Sequence, residues 1–146
     1  MADVTIPSDK IMHLLATKVI DFDGDVFRII LMQSGFVFDP EVHSSYADVL
    51  AFELPTDGGY TQGAKALAGK VITEGNPWKI VWTNVQWLAL SGGIGPAAAA
   101  CIIDDTITTP VVDPIIQCIK FASDRQQVEG GYLTIAEPEF NLSHAT

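Results

Sequence analysis

The side chains with chemical potential in this chain are its carboxylates, its tryptophans, two cysteines and three histidines. The tightest acidic grouping is Asp21-Phe22-Asp23-Gly24-Asp25. Alternate aspartates open calcium-binding loops, because short carboxylates on one turn can converge on a hard cation. That pattern also demands Gly at its sixth position and Glu at its twelfth. Val26 and Met32 stand there instead, so the stretch is expected to be a solvated turn between a helix and a strand. Asp104 and Asp105 are adjacent, but adjacency in a loop does not make a catalytic carboxyl pair.

The other candidates carry equally little catalytic pattern. His13, His43 and His144 form no recognisable set with Ser, Cys or carboxylate, and no H-x-H or C-x-x-C spacing occurs. Gly92-Gly93-Ile94-Gly95 lacks the Lys-Ser/Thr or third spaced Gly that a phosphate loop needs. Trp78, Trp82 and Trp87 lie close together. On an exposed sheet face they would form a stacking platform for a sugar; in a core they are large apolar volume, which is the expected role. No catalytic, cofactor-binding or metal-binding residue is therefore assigned, and the chain is expected not to be an enzyme.

Cys101 and Cys118 sit in the arms of the central feature of the sequence. Ala97 to Ile103 and Pro114 to Phe121 are two apolar runs of strand length separated by a loop of Asp, Thr and Pro110. They predict an antiparallel hairpin at the centre of a sheet, with the cysteines near each other across it. A disulfide is geometrically conceivable. Synthesis in a reducing cytosol favours two buried free thiols instead.

The elements around this hairpin follow from periodicity and turn chemistry. A helix is expected over about 8–20, opened by Ser8 and carrying Ile11, Leu14, Leu15, Val19 and Ile20 on one face. Val26 to Met32 reads as a strand. Asp39-Pro40-Glu41 has the signature of a short second helix reaching Asp48. Val49 to Leu54, Ala64 to Ile72, Trp78 to Ala89 and Tyr132 to Ala136 supply further strands, and about 137–146 is expected to be a surface tail. The whole, residues 1–146, predicts a single mainly β domain: an antiparallel, jelly-roll-like β-sandwich with one N-terminal helix and a short second one.

Composition narrows the partners. The net charge is −10, with 8 basic against 18 acidic residues. Clustered Lys and Arg are absent, so nucleic acid and anionic membranes are poor partners. The apolar fraction of 48% and the mean hydropathy of +0.27 are high for a small chain. A surface covered by other copies or another protein accounts for the excess. The opening MADVTIPSDK has no basic stretch leading into an apolar one, and no long apolar run follows, so synthesis in the cytoplasm is expected.

Gly58-Gly59-Tyr60-Thr61-Gln62-Gly63-Ala64-Lys65-Ala66-Leu67 resembles a glycine-tyrosine segment of small structural proteins from tailed bacteriophages. The order of the other parts is similar too: helix, apolar strand, Asp39-Pro40, the glycine-tyrosine segment, Val85-Gln86-Trp87, a strand ending Asp104-Asp105-Thr106, then Asp113-Pro114-Ile115 and Gly130-Gly131. Ala64 stands where the pattern has a second Gly, and the alanine run replaces a more polar strand start. The resemblance implies a virion component, a capsid decoration or cement protein made in the host cytoplasm. Its partners would be the major capsid protein lattice and further copies of itself, as a dimer or trimer, with no catalytic residue and no cofactor. A tail or head-fibre component and a carbohydrate-binding sandwich are the alternatives.

Overall fold

The computed structural model describes residues 3–142. Nine strands and two short α-helices occur among them: β1 (Val4–Pro7), α1 (Ile11–Ala16), β2 (Phe27–Gln33), α2 (Tyr46–Val49), β3 (Val71–Thr73), β4 (Trp78–Val81), β5 (Val85–Leu88), β6 (Ile94–Asp104), β7 (Ile115–Gln127), β8 (Tyr132–Ile135) and β9 (Glu139–Leu142). All pairings are antiparallel. The main sheet runs β1-β7-β6-β2, and two smaller ones run β3-β4-β9 and β5-β8. The mainly β expectation is met, as three sheets.

The central hairpin is β6 and β7, in the middle of the main sheet. Its apolar runs are continuous because both faces of the sheet are buried. Ala97, Ala100, Ile102, Ile116 and Phe121 face one core, together with Ile29 and Leu31 of β2. Trp82, Trp87, Leu133 and Phe140 of the smaller sheets and their connections close that side. Ala99, Cys101, Ile103, Ile115 and Cys118 face a second core with Phe36, Phe38 and Val49. A strand buried on both sides has no polar face to alternate with. The alanines admit close neighbours, which explains a strand built from a good helix former.

Five sequence expectations need correction. The first helix covers only Ile11–Ala16, because residues 4–7 pair with β7 as β1 and Lys18 turns the chain at φ 61°. Asp39-Pro40 opens a turn rather than a helix: Val42 and His43 N–H groups both reach the Asp39 carbonyl. The helix forms later, at Tyr46–Val49, where the Asp48 carboxylate accepts the N–H groups of Ser44 and Ser45 and is held below its usual pKa by them. Val49 to Leu54 is a 3₁₀ turn at 50–52 followed by a bridge from Glu53 to Met32, and only residues 71–73 of the expected 64–72 strand form a ladder. The expected tail contains β9, which pairs with β4; its outermost residues lie outside the described ones.

The cysteines are also corrected. Cys101 and Cys118 are direct register partners, with Cα atoms 4.0 Å apart, and they form a disulfide. Their exposures are 0% and 1%. The cytosolic argument for free thiols fails because register places the two sulfurs against each other inside the second core. Titration of the unfolded protein without reductant should find no thiol. Replacing both cysteines by alanine should cost about 3 kcal/mol, the scale expected for a loop of this length, measured by urea unfolding.

The glycine-tyrosine segment fastens the sheets together. Tyr60 is buried, and its hydroxyl donates to the Glu53 carboxylate at 2.5 Å while accepting the Leu31 N–H of β2 at 2.9 Å. Gly58 and Gly59 have φ of 59° and 101° and lie against the backbone of Gly93 and Leu88. A Cβ at Gly58 would stand 1.8 Å from the Gly93 carbonyl oxygen, so no other residue fits. Tyr60→Phe should lower stability by about 1–3 kcal/mol, because it strips a buried carboxylate and a buried N–H of one partner each; a smaller loss in urea unfolding would show that water replaces the hydroxyl.

Candidate functional site

The acidic turn is occupied from within. Asp21 Oδ1 accepts the Asp23 N–H, and Asp25 Oδ2 accepts the Asp21 N–H, each at 3.0 Å. The Lys70 ammonium donates to the carbonyls of Phe22, at 2.8 Å, and of Asp23, and lies 3.5 Å from the Asp23 carboxylate. A lysine therefore takes the position that the alternate aspartates suggest for a metal. Among the described residues, no three His, Cys, Asp or Glu side chains are placed to hold an ion.

Asp104 and Asp105 point to different surroundings. Asp105 pairs with Arg28 at 2.7 Å. Asp104 is fully buried at the end of β6. Its Oδ1 accepts the Thr106 N–H at 3.0 Å, its Oδ2 has no hydrogen-bond partner, and the Asp25 carboxyl group lies beside it. Two carboxyl groups in contact hydrogen-bond only when one holds a proton. Burial first, and the Asp25 bond second, push Asp104 up to about 8.

The tryptophans are structural. Trp82 and Trp87 are buried in the main core, Trp87 with its ring centroid 6.0 Å from that of Tyr60. Trp78 is half-buried, edge-on to Phe22. They form no exposed stacking platform. His13 is exposed on α1, His43 is half-buried beside Phe36, and His144 lies outside the described residues. The Gly92–Gly95 loop receives the glycine-tyrosine segment rather than a phosphate.

What remains is an apolar surface. Past the end of β2, a groove of about 290 Å³ is lined by Gln33, Ser34, Gly35, Phe36, Val37, His43 and Phe52. Phe36, His43 and Phe52 form one aromatic cluster, with ring centroids 5.6 to 6.4 Å apart. Val37 is 71% exposed and Phe52 46%. The His43 ring is fixed by accepting the Asp39 N–H at Nδ1, and Ser34 donates to Asp124 of β7. The groove is thus an aromatic floor with a rim of main-chain turns, suited to receiving an apolar side chain of another protein. Sequence reading missed it because Phe36, Val37, His43 and Phe52 share no element; the only available signal was the overall apolar excess. A second apolar surface is the cross-strand pair Leu88 and Tyr132 on β5 and β8, exposed to 43% and 56%.

The Asp25–Asp104 pair makes stability depend on pH. A carboxyl whose folded pKa is raised binds a proton in the folded chain that the unfolded chain has released. Stability then declines as pH rises from about 4, the ordinary aspartate value, to about 8. Asp104→Asn supplies a permanent donor toward Asp25. The melting temperature of the wild type should fall relative to that of Asp104→Asn between pH 5 and 8; parallel curves would show that the two carboxyl groups do not share a proton.

Among the described residues, no helix is long and apolar enough to cross a membrane. No protein-family model, no curated protein and no solved structure matches the chain.

Proposed function

We propose that the chain is a non-enzymatic structural component of a tailed-phage virion, a decoration protein that binds and cements the assembled capsid. The observation that carries this reading is the pairing of an acidic chain with an ordered, exposed aromatic groove at Phe36, Val37, His43 and Phe52. Net acidity keeps free copies dispersed. The groove supplies adhesion once many copies meet a repeating lattice, where avidity multiplies weak contacts. The resemblance of the motif order around the glycine-tyrosine segment to small phage structural proteins supports a phage capsid as that lattice. Two further features support it. Asp21, Asp25 and Asp105 are committed to internal bonds, and Trp82 and Trp87 to the core. The Cys101–Cys118 disulfide suits a protein whose working life is spent on a particle outside the cell. In this reading the main sheet and the two smaller ones act as the layers of a jelly-roll-like sandwich.

Purified protein added to capsids that lack it should bind saturably, at a fixed ratio, and raise their melting temperature, since a ligand selective for the assembled state stabilises that state. Phe52→Asp should abolish binding while leaving the fold intact by circular dichroism, because the ring is half in solvent. Saturable binding with no thermal effect removes the cement role. Recovery on tails of disrupted particles, with none on heads, transfers the protein to the tail or fibre.

A further inference from the structure

We propose that the outer edge of β3 pairs with the same edge of a second copy, joining two β3-β4-β9 sheets into one continuous antiparallel sheet across a twofold axis. β3 is the edge strand of its sheet, bonded to β4 on one side and to no other strand among the described residues on the other. An edge offers a row of N–H and C=O groups to any extended partner, and proteins guard it with proline, bulges or inward charges. β3 is short, at three residues, and follows Lys70, but Val71-Ile72-Thr73 itself carries no proline, bulge or charge, and Val71 and Ile72 are 60% and 40% exposed. Ile72 stands opposite buried Ile80, which in turn pairs with buried Phe140. It therefore extends the core-side apolar row to the rim of the sheet, where the row stops in solvent.

The charges of the segment select a second copy as the occupant. In an antiparallel pair centred on Ile72, Ile72 meets its own counterpart, Val71 meets Thr73, and Lys70 meets Glu74 twice. Directly opposed residues on one face lie about 4.5–5.5 Å apart between Cβ atoms, and opposite charges there are favourable. Lys70, Ile72 and Glu74 share that face by strand alternation. Lys70 gives its ammonium to the Phe22 and Asp23 carbonyls and lies 3.5 Å from the Asp23 carboxylate, so it meets Glu74 of the other copy as an opposite charge and not through a spare donor. The segment from Lys70 to Glu74 sums to zero charge in a chain of net charge −10, so copies meet where their mutual repulsion is least. The contact is short and hence weak in solution, and gains strength when copies are held side by side. It does not rest on the capsid reading, and either can fail without the other.

Cysteine cross-linking tests the register. The native cysteines are bonded to each other and buried, so an introduced thiol reports alone. Under mild oxidation, Ile72→Cys should form a covalent dimer several-fold faster than Val71→Cys, whose counterparts would lie two register positions apart. Adding Glu74→Lys to Ile72→Cys sets lysine against Lys70 and should slow the cross-link. Sedimentation equilibrium of the unmodified protein should show a dimer fraction that grows with concentration. Equal rates for Ile72→Cys and Val71→Cys, or no effect of Glu74→Lys, would overturn the proposal.

Discussion

Glu53 places a carboxylate at 1% exposure beneath the loop that joins the sheets. A buried charge is tolerated only when its lone pairs are met by donors. Here the donors are the Tyr46 and Tyr60 hydroxyls and the Gly63 N–H. Each comes from a different part of the connection: α2, the glycine-tyrosine turn, and the loop beyond it. Glu53 also bridges to Met32 at the end of β2, and Gln33 donates to its carbonyl. Charge-assisted bonds of this kind are among the stronger ones in proteins. Burial and the same carboxylate push both phenols above their ordinary pKa, so they remain donors. A long stretch with little regular structure is thereby held in one arrangement.

That arrangement decides what can be exposed. With the loop pinned, Tyr60 lies against Trp87, and the glycines at 58 and 59 seat their backbone on the Gly93 and Leu88 carbonyls. Trp82 and Trp87 are closed into the core. The 3₁₀ turn at 50–52 is carried outward, and Phe52 comes beside Phe36 and His43 to complete the groove. The surface proposed to meet a capsid thus depends on the buried carboxylate of Glu53, the residue that follows Phe52.

The acidic character of the chain is spent in two ways. Several carboxylates act as local ties: Asp21 and Asp25 close their own turn, Asp39 holds the Glu41 N–H, and Asp105 holds Arg28. Asp104 is different, since its side chain is buried against another acid. Burial and the Asp25 contact raise its pKa, and the contact links the end of β6 to the turn that precedes β2.

Local pattern determined the parts of this protein that depend on local physics. The β6–β7 hairpin was legible because Ala97 to Ile103 and Pro114 to Phe121 are apolar on both faces and bounded by turn residues. The β2, β4, β5 and β8 strands were legible from their apolar runs. Tertiary structure decided the rest. β1 and β9 are short and form only because β7 and β4 offer them an edge. The disulfide depends on the register of two strands, which a one-residue slip would have abolished by turning the two side chains to opposite faces. The groove and the Glu53 network each gather residues far apart in sequence, so no spacing announces them. Periodicity reports which face a residue shows to its own element. Which elements then meet is set by long-range pairing and burial, and only the folded chain carries that information.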